Sequence, residues 1–527
     1  MKKITLLLTA ILFACVFANA QTPKISTKWE PTFNERLQKK GVYNDYLGEN
    51  ESAYFLLIEQ LKRGIETEFF IEKYDKKNLH PIGTKTVDET LGVLKTVYMF
   101  GGETYVCIYE NPPKYFKKVQ TPIYGLYHFN KENMTFEKVT AKLGVETFGS
   151  LDLSISPDGS KVLFVFQDDD KNKKTDDSFR FLVTDNQLNK IFEKTVTLSN
   201  VMNAALSNNG TAFAAIRNFT DKKKDLYNYE ILKLSAGGEN RFTVNMNNLQ
   251  YQEMQLLTNN ENKLLALGFY TDKADDTKTG TYFFSMNDEF NAAENFISQQ
   301  IPLKILNLNR KHKVKERYSD FEFGTPLYGE NGTIVICAEE NTSRKRTTVT
   351  YREANRSTGQ ITSSNTPGTG FSLGTSSSSS TNSEFFDIYA FRIDGDKLSW
   401  AKRVPKYQRA VDGDKVAGAP MLSDRLSYEA FLSGDNVVVL FSDNIKKNMA
   451  NNELSEDVSV AFGKDCNLVS VVLEKDGKQN KAIVQTPALT KDELDPEMKK
   501  CFRISNSQGI LSARKRTDCK MGVITVQ

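Results

Sequence analysis

The fold is decided by residues 151–166, which read LDLSISPDGSKVLFVF. The first five residues alternate apolar and polar side chains, and Val162–Phe166 is an apolar run typical of a strand buried on both faces. Between them, Pro157 presets its φ angle, Asp158 can accept bonds from the backbone ahead, and Gly159 supplies a positive φ. The segment therefore predicts two antiparallel strands joined by a tight turn.

This pattern of a turn followed by an apolar run recurs along the chain at a spacing of roughly 52 residues. The turns centre on Asn50, Gly102, Asp158, Asn209, Glu261, Asn331 and Asp435. The runs that follow them are Tyr54–Ile58, Tyr105–Tyr109, Val162–Phe166, Ala212–Ile216, Leu264–Leu267, Ile334–Cys337 and Val437–Phe441. Because such a strand can be buried only against neighbouring copies, the recurrence predicts a stacked array, a β-propeller.

Each unit is predicted to hold four antiparallel strands, because a second class of turn has the same period. In the third unit this second turn is Asp185–Gln187, which lies between the predicted strands Phe179–Thr184 and Ile191–Leu198. The fold class is therefore all-β. The predicted propeller spans residues 42–487, with repeats at approximately 42–90, 91–142, 147–198, 199–246, 250–302, 318–405 and 425–487.

The C-terminal residues 488–527 leave the number of blades open. A Thr and a Glu at capping-box spacing predict a short helix over Lys491–Lys500. The segment Ile510–Arg516 is more polar than its counterparts, and this favours seven blades followed by a C-terminal addition. The alternative is eight blades, because a ring leaves unpaired edges unless it closes, and Lys24–Trp29 can supply the missing strand.

The stretch Ser156–Phe164 resembles the repeat signature of TolB-like propellers, in which a Ser-Pro-Asp-Gly turn leads into an apolar strand. Elsewhere the turn degenerates, as in Ser207–Gly210. The resemblance implies a propeller with a scaffold or interaction role in the cell envelope. The same motif also occurs in propellers attached to peptidases, so it does not assign an activity.

Residues 1–20 are predicted to be a signal peptide cleaved after Ala20. They contain two lysines, the apolar run Ile4–Phe17 and small residues before the cleavage position. A lipoprotein anchored at Cys15 is less favoured, because the flanking residues fit that motif poorly. No later stretch approaches the ~20 apolar residues of a membrane helix. We therefore expect an N-terminal extension at 21–41 and a protein that is periplasmic or secreted.

The remaining chemistry of the chain is sparse. A net charge of +3 argues against a dedicated nucleic-acid binder. The Gly370–Gly374 segment matches a hydrolase Gly-x-Ser-x-Gly motif but lacks the strand-turn-helix context, and Asp168–Asp170 lacks the spacing of a calcium loop. The three histidines belong to different units. The sequence thus predicts no catalytic residue, no metal site and no cofactor.

The cysteines suggest a disulfide near the C-terminus. Cys107 and Cys337 lie inside apolar strands and are predicted to be buried thiols. Cys466, Cys501 and Cys519 lie near segment ends in a protein predicted to be exported, where disulfides persist. Cys501–Cys519 is the preferred pair.

The long insertions fall at one rim of the predicted ring. In an antiparallel meander, the second-to-third loops and the inter-unit crossings share a rim, and the longest segments belong to these two groups. The largest is a Ser/Thr/Gly-rich insert at 342–383, predicted to be flexible. Because loops on a rigid scaffold carry binding residues, this rim is a predicted functional face, although tolerated drift explains it too.

Basic and aromatic residues cluster in these same segments. The candidate ligand-binding residues are Tyr115, Phe116, Lys117, Arg310, Lys311, Lys313, Arg344, Lys345 and Arg346. Several basic clusters at one rim can bind a polyanion, so the predicted partners are an acidic glycan or an envelope protein.

Three hypotheses for function remain open at this point. The first is an exported, non-catalytic propeller that serves as a binding or scaffold module in the bacterial envelope. The second is a carbohydrate-active enzyme with carboxylates in the propeller funnel, which two or three carboxylates with shifted pKa values would favour. The third is a subunit of a larger envelope assembly.

Overall fold

The computed structural model describes residues 23–32, 41–61, 67–110, 123–146, 148–167, 177–221, 226–245, 249–272, 279–301, 320–354, 361–364, 372–406, 408–412, 426–444, 466–484, 494–515 and 518–527. Strands dominate this part of the chain and form eight antiparallel sheets. The chain is therefore an all-β propeller, and it has the eight blades of the alternative prediction rather than the favoured seven.

The first strand along the chain, β1 (Ile25–Trp29), belongs to the last blade. Blades 1 and 2 consist of β2 (Gly41–Glu49), β3 (Ala53–Leu61), β4 (Thr67–Asp75), β5 (Pro81–Thr86), β6 (Val93–Phe100), β7 (Glu103–Tyr109), β8 (Tyr124–Asn130) and β9 (Thr135–Lys138). Blades 3 and 4 consist of β10 (Ser150–Ile155), β11 (Lys161–Gln167), β12 (Asp177–Asp185), β13 (Lys190–Leu198), β14 (Val201–Leu206), β15 (Ala212–Asp221), β16 (Leu226–Ser235) and β17 (Gly238–Val244). Short 3-10 turns lie at Glu89–Leu91 and Thr140–Leu143.

Blade 5 consists of β18 (Leu249–Thr258), β19 (Leu264–Asp272), β20 (Thr279–Met286) and β21 (Ala293–Ile301). Blade 6 consists of β22 (Asp320–Phe323), β23 (Leu327–Tyr328), β24 (Thr333–Ala354), β25 (Ile361–Ser364), β26 (Ser372–Asp394), β27 (Lys397–Val404) and β28 (Gln408–Asp412). Blade 7 consists of β29 (Tyr428–Ser433), β30 (Asn436–Asn444), β31 (Cys466–Leu473) and β32 (Gln479–Ile483). Blade 8 combines β33 (Asp495–Ser505), β34 (Gln508–Lys515) and β35 (Asp518–Val526) with β1.

The eighth blade is closed by both ends of the chain. The N-terminal strand β1 pairs antiparallel with β35, from Ile25 opposite Val526 to Trp29 opposite Gly522. Lys24–Trp29 therefore does contain the missing strand, as the eight-blade alternative required. Pairing removes one sheet edge that an open ring would expose.

The predicted helix over Lys491–Lys500 is wrong, because residues from Asp495 onward form β33. The pairing of β33 with β34 satisfies its backbone, and this tertiary pairing overrides the local capping signal. The polarity of β34 also has a structural reason. Ser512 and Arg514 are buried and bond the buried Glu497, at 2.6 Å from Ser512 Oγ and 2.9 Å from Arg514 Nε.

The apolar core lies between the blades. Leu163 and Phe181 of blade 3, for example, share one buried cluster with Ala214 and Leu232 of blade 4. Each fully buried side chain of this kind contributes about 1.5–3 kcal/mol relative to an exposed one. The cohesion of the ring therefore comes from contacts between neighbouring sheets, which explains why the sequence repeats the same apolar strand.

The tight turns have the geometry that the sequence predicted. Asp158 accepts hydrogen bonds from the Ser156 hydroxyl at 2.7 Å and from the Ser160 amide at 2.9 Å, and Gly159 has a φ of 70°. The Asp158 amide in turn donates to Oδ1 of Asn208 in the next blade, at 3.0 Å. These turns therefore join adjacent blades as well as adjacent strands.

The described part of the large insert of blade 6 consists mainly of paired strands. The strands β24 and β26 pair from Thr333 opposite Asp394 to Glu353 opposite Ser372, so the described residues of 342–383 largely continue the hairpin. The run Thr347–Thr350 in β24 suits an extended backbone, because Thr and Val are β-branched. The flexibility of the insert stays a prediction.

Candidate functional site in the central cavity

The innermost strands of the blades surround a central cavity of about 1240 Å³. All eight blades contribute residues to its wall. In blades 1, 2, 4 and 5 the innermost strand contains an irregularity in register with its neighbour, as between Tyr43 and Asp45 or between Leu94 and Thr96. A β-bulge re-aims side chains, and here Asp45 and Thr96 both line the cavity.

Five carboxylates line the cavity, and two of them, Glu322 and Glu339, belong to blade 6. The other three are Asp45, Asp152 and Glu429, on blades 1, 3 and 7. Each accepts a hydrogen bond from the backbone amide of the following residue, at 3.1, 2.8 and 3.1 Å respectively. This shared local contact holds one carboxylate oxygen of each residue close to its own strand.

Burial inside the ring raises the pKa of all three carboxyl groups. Desolvation raises the pKa of Asp45 to about 6, despite the opposing effect of Lys500. Desolvation also raises the pKa of Glu429, against the effect of Arg503, whose Nη1 lies 3.9 Å from Oε1 of Glu429. For Asp152 burial is again the main cause, and among the described residues it forms no ion pair.

The cavity is thus mixed in charge. The basic residues of its wall are Lys499, Lys500 and Arg503, all on β33 of blade 8. The blades on either side of blade 8 carry Asp45 and Glu429, which these cations partly neutralise. Asp152, on blade 3, is remote from blade 8 along the ring.

The nearby phenols and thiols are held in their neutral forms. Burial raises the pKa of Tyr98, and it raises the pKa of Cys337 to about 12. The Tyr428 hydroxyl donates to the carbonyl oxygen of Cys337 at 2.9 Å. Because the thiolate is the reactive form of cysteine, Cys337 is unsuited to nucleophilic chemistry at neutral pH.

A buried polar network forms the cavity wall between blades 6 and 7. The Lys406 ammonium donates to Glu339 and, at 2.9 Å, to Oε1 of Gln408, while the Ser427 hydroxyl donates to Glu339 at 2.6 Å. Burial raises the pKa of Glu339 and lowers the pKa of Lys406. Ser427 also has a positive φ of 77°. Each of these four side chains is hydrogen-bonded to another, so the network stabilises the contact between blades 6 and 7.

The structure does not bring the predicted rim residues into a described site. Tyr115, Phe116, Lys117, Arg310, Lys311 and Lys313 lie outside the described residues. The backbone of Arg344, Lys345 and Arg346 lies in β24, opposite Asn382, Thr381 and Ser380 of β26. The binding role of these nine residues therefore stays a prediction.

The predicted disulfide Cys501–Cys519 is wrong. Both residues are buried free thiols. Cys501 lies on β33 opposite Leu511 and Cys519 lies on β35 opposite Arg514, so β34 separates the two cysteines. Burial raises the pKa of Cys519 to about 12. The prediction failed because the intervening residues form a complete strand between the two cysteines.

Sequence reasoning missed the cavity carboxylates. A usable signal existed, since Asp152 is a polar residue within the alternating first strand of its repeat, Leu151–Ile155. In a propeller the first strand of each repeat is innermost, so its polar members are candidates for the cavity. Asp45 and Glu429 occupy first strands as well.

Among the described residues, no helix is long and apolar enough to cross a membrane. Within the same part of the chain, no group of three or more His, Cys, Asp or Glu side chains is arranged to hold a metal ion.

The fold and the cavity define an eight-bladed β-propeller whose central cavity carries charged side chains of both signs. No protein-family model matches this chain, and no curated protein sequence matches it. Similar solved structures include the β-propeller domain of the Trilobed protease from Pyrococcus furiosus, with 10% identity over 84% of this chain and 98% of that chain, and a TM-score of 0.38. The polysaccharide lyase Uly1 has 9% identity over 92% of this chain and 90% of that chain, with a TM-score of 0.40. A TolB-like protein from Agrobacterium tumefaciens has 11% identity over 52% of this chain and 88% of that chain, with a TM-score of 0.25.

Proposed function

We propose that this chain is an exported, non-catalytic binding module of the bacterial envelope, and that its cavity receives a positively charged group of an envelope protein. The observation that carries the proposal is Asp152. It lines the cavity, its carboxylate accepts one backbone hydrogen bond, and it forms no ion pair among the described residues. A partly desolvated carboxylate gains most from a cation that replaces its lost hydration.

The other cavity carboxylates are less available to a ligand or less desolvated. Glu339 is paired with the buried Lys406, and Glu322 is exposed and accepts a hydrogen bond from Asn341 at 3.2 Å. Lys500 acts on Asp45 and Arg503 acts on Glu429, so a ligand cation at either place would compete with a cation already present. The cavity volume of about 1240 Å³ suits a chain end or a few side chains rather than a folded domain. At Asp152 an acidic glycan would meet a like charge, because the cations of the cavity wall lie on blade 8, and this favours the protein partner over the glycan.

The test is capture of partners from an envelope extract by the immobilised mature protein. Asp152→Lys is expected to lose the specific partner, because it places a like charge in the cavity. Glu132→Lys is the matched control, since Glu132 is an exposed turn residue of blade 2 and makes the same change of charge. Equal capture by all three proteins would refute the assignment of the cavity. A retained partner should then be titrated in purified form at two salt concentrations.

A second candidate is a carbohydrate-active enzyme that uses the cavity carboxylates. The pKa of about 6 for Asp45 favours it, because a general acid works best near the ambient pH. The pKa of Asp152 is raised too. Burial is the largest cause of both pKa shifts, however, and neither carboxylate shifts the pKa of the other. A catalytic pair, by contrast, acts together on one bond.

The enzyme hypothesis is tested by incubating the protein with neutral and acidic polysaccharides. Release of reducing ends or of unsaturated products, lost in both Asp45→Asn and Asp152→Asn, would replace the binding proposal. Absence of product from the unaltered protein on every polysaccharide would leave binding as the supported function.

Export is part of the proposal and rests on the sequence of residues 1–20. Cell fractionation with N-terminal sequencing of the mature protein checks it. The expected mature chain begins at Gln21 and is found in the periplasm or the medium. A chain that retains Met1 in the cytoplasm would contradict export.

A further inference from the structure

The outer strand of blade 5, β21, is an open sheet edge. In this sheet the order is β18, β19, β20 and β21, so β21 pairs on one side only among the described strands. An open edge presents unpaired N–H and C=O groups that can accept another strand. Proteins usually protect such edges with charged residues, above all Lys, or with Pro.

Blade 5 lacks the protection that the other outer strands have. Each of the other seven outer strands carries at least one Lys or Arg, namely Lys28, Lys85, Lys138, Lys190, Arg241, Lys397 and Lys481. The strand β21 reads AENFISQQI and contains no Lys, Arg or Pro. Its single charged residue, Glu294, is paired with Lys263 at 3.2 Å.

The same strand exposes two large apolar side chains in succession. Phe296 is 48% exposed and Ile297 is 41% exposed. Other exposed large apolar residues in the described part of the chain stand singly in the sequence. Successive residues of a strand point to opposite faces, so each face of this edge carries one exposed apolar side chain.

The edge is also held in place. At its start, the Asn295 amide nitrogen donates to Ser285 Oγ at 3.0 Å and to the carbonyl oxygen of Asp396 in blade 6 at 3.3 Å. Beyond this anchor the register with β20 is regular, from Ile297 opposite Phe283 to Ile301 opposite Thr279. Residues 297–301 therefore present a regular edge about 17 Å long.

We infer that β21 is a dimer interface, at which a second copy of this chain adds its own β21 in antiparallel orientation. The charge pattern favours a second copy. In an antiparallel pair with its two-fold axis near Ser298, the two Glu294 residues lie at opposite ends, and uncharged residues face one another. A two-fold contact of this kind uses the same surface on both subunits, and it closes without forming a fibre.

The test is analytical ultracentrifugation of the mature protein, with the mass of the sedimenting species measured at protein concentrations from about 1 to 100 µM. The double variant Phe296→Lys, Ile297→Lys restores the charge that the other outer strands carry. The matched control is Ile191→Lys on β13, which is 45% exposed but lies beside Lys190 and Lys194. Circular dichroism verifies that each variant is folded.

The unaltered protein and the control are expected to dimerise, and the double variant to weaken dimerisation at least about tenfold. Amide hydrogen exchange across residues 296–301 is expected to slow as the protein concentration rises. A monomer at every concentration, or equal dimerisation of the double variant, would overturn the inference. Capture of a foreign strand at β21 by a monomeric protein would overturn it as well.

Discussion

Lys24 and Gln527 hold the two ends of the chain together through a reciprocal pair of backbone hydrogen bonds. The Lys24 amide donates to the Gln527 carbonyl oxygen at 2.9 Å, and the Gln527 amide donates to the Lys24 carbonyl oxygen at 3.0 Å. The pair continues the ladder between β1 and β35 beyond Ile25 and Val526. The ring therefore closes through its termini. Four predictions follow from this closure and from buried groups of the ring.

Removal of the N-terminal strand should weaken the whole ring. A protein that begins at Glu30 lacks β1, which exposes the edge of β35 and the apolar surface beneath Trp29. We expect the melting temperature to fall by about 5 °C or more relative to a protein that begins at Lys24. Differential scanning calorimetry measures the difference. Equal melting temperatures would show that β1 does not contribute to closure.

Glu30 should make the stability of this seam depend on pH. It is buried, accepts a hydrogen bond from the Met521 amide at 3.2 Å, and has a pKa raised by desolvation from 4.5 to about 8, with Glu72 adding to the rise and Lys520 opposing it. The folded state binds the Glu30 proton more tightly than the unfolded chain does, so protonated Glu30 adds to the free energy of unfolding. This contribution is fully present below pH 4.5 and is lost as the pH rises to about 8.

The variant Glu30→Gln removes that titration. Between pH 5 and pH 8.5 the unfolding free energy of the unaltered protein should decline. We expect this decline to be smaller in the variant by roughly 2–4 kcal/mol. Denaturant unfolding at a series of pH values measures it. Parallel pH profiles for the two proteins would contradict the prediction.

The buried pair of Lys406 and Glu339 should be costly to break from one side. Lys406→Met leaves the Glu339 carboxylate buried without its cation, and we expect a loss of about 3–5 kcal/mol of unfolding free energy. Replacing both residues, as in Lys406→Met with Glu339→Leu, should recover most of that loss.

Lys190→Met supplies the control for this pair. Lys190 contacts Glu193 at 3.2 Å on the surface, where a salt bridge contributes about 0–1 kcal/mol. Urea titration compares the three variants with the unaltered protein. A cost for Lys406→Met as small as that for Lys190→Met would show that the buried pair is not coupled.

Cys501 and Cys519 should both react with an alkylating reagent in denaturant without any reductant, because both are free thiols. In the folded protein both thiols are buried, and the pKa of about 12 for Cys519 slows its reaction with iodoacetamide. In denaturant both should become labelled within the same time as a free peptide thiol. Mass spectrometry of the digested protein measures the labelling. A peptide in which Cys501 is linked to Cys519 would restore the disulfide that the structure excludes.

Much of the fold could be predicted because its signals are local. The turn at Asp158 and Gly159 depends on side chains within a few residues, and the apolar run Val162–Phe166 repeats in other units. The blade number could not be settled in the same way. It depends on the pairing of β1 with β35, which lie at opposite ends of the chain. It also depends on the buried ion pair of Arg514 with Glu497, two residues whose charge is more typical of a protein surface.

The candidate site was predictable only in outline. Asp152 is visible in the sequence as one polar residue in an alternating strand, but its pKa shift arises from burial that the whole ring creates. Lys500 opposes the rise in the pKa of Asp45, and Arg503 opposes the rise in the pKa of Glu429. In each case the two residues belong to different blades. No local pattern connects such residues, because their proximity follows from closure of the circle.

On its own, the amino-acid sequence determined that this protein is a ring of repeated β-sheets, because each turn and each apolar strand is specified by neighbouring residues. The tertiary structure decided how many sheets complete the ring, which carboxylates face its centre and which edge stays open. The physical reason is that ring closure, desolvation and edge exposure are properties of the assembled blades, and no single repeat possesses them.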